Sequence, residues 1–170
     1  KNSRYFFVEF YSMDLKCNTP ADVLKAAKDN KVKMVDVKCV DMPGMWQHFS
    51  VPLHELETSS FTDGYGFDGS SIRGYQDINE SDMLVVPDAT TAILDPFTAV
   101  PTLSLICNIV DPINKKRYNK DPRYILHKAE EYVKKGGFGA TVFFGHEDEF
   151  FIFDTIRYDR RVNFWFYDIY

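Results

Sequence analysis

The chain has 170 residues, of which 45% are hydrophobic and 16% aromatic, so it can build a core and we do not expect disorder. The net charge is −5, and the 20 basic residues are spread along the chain, which argues against a nucleic-acid partner because phosphate binding needs a concentrated basic face. No apolar run reaches the roughly 20 residues of a membrane span, and no signal peptide is visible.

The three cysteines, Cys17, Cys39 and Cys107, are widely separated and form no CxxC motif. This spacing argues against a disulfide framework or a zinc site and favours a reducing compartment. We therefore predict a cytoplasmic protein with no nucleic-acid and no membrane partner, and we interpret the cysteines as buried or incidental thiols without an assigned role.

The N-terminal part predicts one helix and several strands. Residues 1–13 are apolar and patternless, and they are either an extra strand or foreign to the protein. In "NTPADVLKAAKDN" Thr19 can cap a helix whose first position is Pro20. The alternating stretch 32–42, the turn "PG" and the returning "WQHFSV" predict a hairpin. A polar, glycine-rich loop from residue 58 to 82 follows, and then two buried strands, "DMLVVPD" and "LSLICNIVD".

A linker, "DPINKKRYNKDPR", marks the expected domain boundary. Asp121 and Pro122 begin a second predicted helix, which has one apolar stripe and ends at Gly136 and Gly137. A strand is predicted over residues 140–153. We predict an α+β fold, with a small α+β domain over 14–111 and the beginning of a second domain over 112–170. One helix and one or two strands are too little for an independent core, so we expect the chain to be cut off inside the second domain.

Three consecutive carboxylates interrupt the phenylalanine-rich stretch "FFGHEDEFFIF". On a strand, Glu147 and Glu149 share one face about 6.5–7 Å apart, and their oxygens suit two hard cations roughly 3.5–4 Å apart. The alternative is an exposed strand face whose glutamates are solvated or paired with basic residues. Spacing alone leaves both interpretations open.

The loop "GFDGSSIRGYQDINESD" is the other candidate site. It contains neither a Walker motif nor GxGxxG spacing. Asp68, with Ser70 and Ser71 beside it, could bind a small cation or act as a base. The alternative is an ordinary Asp-Gly turn.

Residues 67–97, "FDGSSIRGYQDINESDMLVVPDATTAILDPF", closely resemble the signature of type I glutamine synthetase. "DPRYILHKAEEYV" and "FFGHEDEFFIFD" resemble the first helix and a metal-binding strand of that family's catalytic domain, and the likeness covers residues 19–158 in the right order. The resemblance implies a β-grasp N-terminal domain followed by the start of a catalytic domain.

The resemblance also implies an activity: ATP-dependent ligation of ammonia to the γ-carboxylate of L-glutamate through γ-glutamyl phosphate. It implies Glu147 and Glu149 as ligands of two Mg²⁺ or Mn²⁺ ions per site, and Asp68, helped by Ser71, as the group that binds ammonium and takes its proton. The implied assembly is a homo-oligomer, a dodecamer of two stacked hexameric rings with active sites between subunits.

His146 and Asp148 depart from the resemblance, because that family has prolines at both positions. The family's further metal ligands and its glutamate- and ATP-binding segments would follow residue 170, so we expect this chain alone to be inactive. Two alternatives remain: a non-catalytic relative with a binding or regulatory role, and a related ligase that uses another amine.

Overall fold

The computed structural model describes residues 14–170. The uncertain segment 1–13 lies outside the described residues. The described chain up to residue 110 is built around one mixed sheet of six strands, in the order β2-β1-β6-β4-β3, with β5 also paired to β6. The strands are β1 Met34–Val40, β2 Trp46–Pro52, β3 Tyr65–Asp68, β4 Asp82–Pro87, β5 Ile93–Leu94 and β6 Thr102–Val110.

Strand β6 is the centre of the sheet. It runs parallel to β1, with Met34 opposite Thr102, and antiparallel to β4, with Val85 opposite Ile109. The predicted hairpin is confirmed, because β1 and β2 pair antiparallel around the turn at Pro43 and Gly44. The two predicted buried strands are confirmed as β4 and β6.

Helix α1, Pro20–Asp29, covers one face of this sheet and begins as predicted. Thr19 and Asp22 form a capping box, in which the Thr19 hydroxyl accepts from the Asp22 amide and the Asp22 carboxylate accepts from the Thr19 amide. The helix buries Val23 and Ala27 completely. They join the alternate residues of β1 and β6 that point to the same side, namely Val35, Val37, Leu103, Leu105, Cys107 and Ile109.

The region between residues 58 and 82 is more ordered than the predicted loop. It contains the short helix α2, Ser60–Asp63, strand β3, and 3-10 turns over Gly69–Ser71 and Ile78–Glu80. The sequence pattern missed β3 because a strand of four residues is too short to show a clear alternation. Its pairing with β4, which sets Asp68 opposite Asp82, places Asp68 at the end of a sheet strand.

The second half contains helix α3, Pro122–Lys135, and a hairpin of β7, Ile156–Arg161, with β8, Phe164–Ile169. Asp121 caps α3 and Gly136 ends it, as predicted. The predicted strand over residues 140–153 is wrong, because this stretch has no regular secondary structure. A strand needs a neighbour for its backbone groups, and β7 and β8 pair only with each other in the described part of the chain.

Candidate active site

Asp68 is exposed and its carboxylate is held by the two serines that follow it. One oxygen accepts from the Ser70 amide at 2.8 Å and from the Ser70 hydroxyl at 2.6 Å. The other accepts from the Ser71 hydroxyl at 3.2 Å. These bonds, first of all the one from the Ser70 hydroxyl, lower the pKa of Asp68 below its ordinary value. The side chain is therefore an ionised carboxylate with a fixed orientation, open to solvent.

The turn below Asp68 is closed by a backbone hydrogen bond and packs closely against a core side chain. The Gly69 amide donates to the Ser81 carbonyl at 2.6 Å. A Cβ at Gly69 would overlap the side chain of Met83, which is buried in the core. A larger residue after Asp68 would therefore force the buried Met83 side chain to move.

Tyr75 anchors the far side of the same loop. Its side chain is 2% exposed, and its hydroxyl donates to the Val40 carbonyl at 2.6 Å. Burial, followed by the negative charge of Asp121, raises the pKa of Tyr75, so the hydroxyl stays protonated and remains a donor. The loop that carries Asp68 is thereby tied to strand β1.

Glu147 and Glu149 lie in the irregular segment between α3 and β7, and both are exposed. Their neighbours His146 and Asp148 approach each other to 3.7 Å at the surface. Because the segment is not a strand, the shared face expected for the two glutamates is absent from this structure. No group of three or more histidine, cysteine, aspartate or glutamate side chains within residues 14–170 is arranged to hold a metal ion.

The structure thus brings Asp68 and Ser71 together and leaves Glu147 and Glu149 apart from them. Among residues 14–170, no hydrogen bond or ion pair joins the loop of Asp68 to the segment of the two glutamates. Sequence reasoning also missed the contacts of the linker, which packs against the sheet. The Tyr118 hydroxyl donates to the Tyr75 carbonyl at 2.7 Å, across a separation that no local sequence pattern records.

Two family models match the chain, one up to the start of that linker and one from within it onward. Residues 31–112 match the glutamine synthetase β-grasp domain, and residues 119–169 match the glutamine synthetase catalytic domain. The chain belongs to the glutamine synthetase family. The α+β fold with an N-terminal β-grasp domain is confirmed by the first of these matches together with the sheet described above.

Relatives named glutamine synthetase are similar along most of the chain. The protein from Microchaete diplosiphon is 51% identical over 88% of this chain and 32% of its own length. The protein from Aquifex aeolicus is 48% identical over 89% of this chain and 32% of its own length. The chain therefore spans about a third of the length of the curated glutamine synthetases that it matches.

Two solved structures have folds similar to that of this chain. The cryo-EM structure of Plasmodium falciparum glutamine synthetase has a TM-score of 0.67 at 26% identity, over 89% of this chain and 29% of that chain. A complex of GmaS with ADP has a TM-score of 0.61 at 18% identity, over 67% of this chain and 26% of that chain. At that identity the second likeness concerns the fold alone.

No helix among residues 14–170 is both long enough and apolar enough to cross a membrane. Cys17, Cys39 and Cys107 are buried free thiols. Burial raises the pKa of Cys39 to about 11 and that of Cys107 to about 12, so both are protonated and unreactive at neutral pH.

Proposed function

We propose that the protein to which this chain belongs is an ATP-dependent glutamate–ammonia ligase that makes glutamine through γ-glutamyl phosphate. The observation that carries this proposal is the fixed, ionised carboxylate of Asp68 on an exposed turn, within a chain about 50% identical to proteins named glutamine synthetase. An anion held in this way suits a small cation such as ammonium.

In this proposal Asp68 attracts ammonium and takes one of its protons, and Ser71 orients the carboxylate. The resulting ammonia attacks the acyl carbon of γ-glutamyl phosphate, the C–O bond to phosphate breaks, and inorganic phosphate leaves. Proton removal at a positioned carboxylate contributes about 10²–10⁴-fold to such a step. The exposed position of Asp68 suits a group offered to the catalytic site of a neighbouring subunit.

Glu147 and Glu149 are the proposed metal ligands. Carboxylate oxygens are the donors that Mg²⁺ and Mn²⁺ prefer, so the two side chains fit two divalent ions per site as part of a larger ligand set. When bound, such ions neutralise phosphate oxygens during phosphoryl transfer from ATP. The remaining ligands would come from residues outside this chain, because no cluster of three candidate ligands exists within residues 14–170.

We further propose that residues 14–111 form the β-grasp domain and that residues 112–170 begin the catalytic domain of a cytoplasmic homo-oligomer, a dodecamer. The exposed apolar residues of the second region, among them Phe143, Phe144 and Phe150, support a larger domain that covers them. The 170-residue chain alone would then be inactive.

The test is glutamine formation by the complete protein from glutamate, ammonium and ATP with saturating Mg²⁺ or Mn²⁺. We expect Asp68→Asn to lower kcat/KM for ammonium by about 10²–10⁴-fold. No turnover by the unaltered protein would contradict the proposal and favour the non-catalytic alternative. Faster turnover with methylamine than with ammonium would favour a ligase for another amine.

The metal assignment has its own test with a readout besides activity. We expect Glu147→Gln and Glu149→Gln each to weaken Mn²⁺ binding to the complete protein at least about tenfold in a calorimetric titration. His146→Ala and Asp148→Asn are matched controls in the same segment and should leave binding within about twofold. Equal losses from all four variants would contradict the assignment.

A further inference from the structure

Two side chains of the linker donate to one backbone carbonyl in the loop of Asp68. The Tyr118 hydroxyl lies 2.7 Å and the Lys120 ammonium 2.9 Å from the carbonyl oxygen of Tyr75. The rings of Tyr75 and Tyr118 also meet edge to face, with centroids 5.3 Å apart. This carbonyl is thereby fixed by a neutral and a charged donor, of which the charged one is the stronger kind.

The linker is itself fixed to the central strand of the sheet. The Tyr118 amide donates to the Ile109 carbonyl at 2.9 Å, and the Asp121 carboxylate accepts from the Ile109 amide at 3.2 Å. Asp121 is only 1% exposed and also caps α3. The two donors are therefore held by β6 on one side and by the first catalytic-domain helix on the other.

Tyr75 is joined to Asp68 by a short series of backbone bonds. The Tyr75 amide donates to the Ile72 carbonyl at 3.1 Å, and the Ile72 amide donates to the Gly69 carbonyl at 3.2 Å. Gly69 follows Asp68 directly. Two hydrogen-bonded turns thus connect Tyr75 to the residue that follows Asp68.

We propose that Tyr118 and Lys120 are positioning residues for Asp68, acting through the carbonyl of Tyr75. The inference rests on the proposed function, because it assigns the ammonium-binding geometry to a contact between the linker and the loop. Neither residue touches Asp68 in the described structure. Their effect is geometric, and a displacement of about 1 Å at a reacting group can lower a rate by about 10²-fold.

The test compares Tyr118→Phe, Lys120→Met and the double variant in the complete protein. Tyr118→Phe removes the hydroxyl and keeps the ring contact. We expect each single variant to raise KM for ammonium about three- to tenfold, and the double variant more, while KM for glutamate and ATP stays within about twofold. Lys120→Arg restores a charged donor and should recover most of the loss.

Lys116→Met is the matched control, because Lys116 is an exposed lysine of the same linker whose side chain has no hydrogen bond or ion pair within residues 14–170. We expect it to leave KM for ammonium unchanged. A purely structural role predicts instead a lower melting temperature and a lower kcat, with no selective rise of KM for ammonium. That result would overturn the proposal.

Amide hydrogen exchange gives a readout that does not depend on activity. In the double variant we expect faster exchange at Gly69, Ile72 and Tyr75, with the amides of β1 unchanged. Unchanged exchange in the loop would overturn the positioning role even if glutamine is formed. Absence of glutamine formation by the unaltered protein would refute the proposed function, whereas the exchange result would still decide whether the linker holds the loop.

Discussion

The carboxylate of Asp68 is held by a local pattern that recurs in the same chain. At Asp88, one oxygen accepts from the amide and the hydroxyl of Thr90, at 3.0 and 2.7 Å, as Asp68 does from Ser70. The other oxygen of Asp88 accepts from the Arg123 guanidinium at 2.6 Å, whereas the other oxygen of Asp68 accepts from the Ser71 hydroxyl, and Asp68 has no ion pair within residues 14–170. Asp88 is thus neutralised within the fold, and Asp68 keeps an uncompensated charge.

Removing the Ser70 hydroxyl should raise the pKa of Asp68. We expect Ser70→Ala to shift the carboxyl titration upward toward its ordinary value of 3.8, because the largest contribution to the lowered pKa is lost. Carboxyl NMR titration measures the shift. Thr90→Ala removes the equivalent bond at Asp88 and should leave Asp68 unchanged, while an equal shift from both variants would refute the local explanation.

The pH dependence of the loop follows from the same lowered pKa. A carboxylate whose pKa is lower in the folded state stabilises that state at pH values above its ordinary pKa, here 3.8. This stabilisation is lost as the pH falls through the pKa of the folded state. We therefore expect the amides of Ser70 and Ser71 to keep constant chemical shifts between pH 5 and pH 8 and to change only in more acidic solution. A transition near neutral pH would contradict this prediction.

At the scale of elements, sequence patterns predicted the parts whose signals are local. The capping residues Thr19 and Asp121 marked both long helices, alternation marked β1, and two apolar stretches marked β4 and β6 as buried strands. The short strand β3 and the packing of the linker escaped, because they depend on partners distant in sequence. The strand predicted over 140–153 was wrong because apolar residues alone do not supply a pairing neighbour.

Of the candidate site, the family resemblance implied that Ser71 assists Asp68, and the Ser71 hydroxyl does donate to the Asp68 carboxylate. The catalytic role of the two residues stays a prediction. The assignment of Glu147 and Glu149 stays a prediction. Alternation on a strand was its geometric basis, and that basis is absent from residues 140–153 of this structure.

The turn after β3 gives a prediction about glycine. Gly69→Ala should lower the free energy of unfolding by about 1–3 kcal/mol, because the added methyl overlaps Met83 in a packed core. Gly66→Ala in the preceding strand β3 is the control, since a Cβ there meets nothing within 4 Å. Denaturant unfolding compares the two, and equal stabilities would contradict the close packing described here.

The start of α3 gives a second prediction at this scale. Asp121→Ala removes a helix cap and leaves the buried Ile109 amide without its acceptor, so we expect a loss of about 2–4 kcal/mol. Asp77 precedes a 3-10 turn without capping it through its side chain. Asp77→Ala should therefore change the stability by less than about 0.5 kcal/mol, measured by the same denaturant titration.

At the scale of the molecule, the described residues divide into a packed part and an open part. Every buried hydrophobic residue of the described chain lies between Cys17 and Val110. Helix α3 buries none of its residues, and large apolar side chains such as Phe150 and Phe151 are about four-fifths exposed, at 79% and 84%. The stability of the described structure therefore resides in its β-grasp part.

This division predicts how shortened chains behave. A chain ending at residue 137, which keeps Asp121 and α3, should melt within a few degrees of the 170-residue chain, because the core is the same. The 170-residue chain should bind more of a dye specific for exposed apolar surface and should self-associate at lower concentration. Equal dye binding by the two chains would show that residues 138–170 are covered.

The parallel pairing of β1 with β6 joins the beginning of the sheet to its end. Contacts between residues so distant in sequence form slowly, because a long chain segment must close before they are made. On the ribosome, the β1–β2 hairpin can assemble early, but the sheet waits until β6 has emerged. Asp68 acquires its final surroundings only after that, so any delay in translation before β6 has emerged leaves this turn exposed to proteases and chaperones.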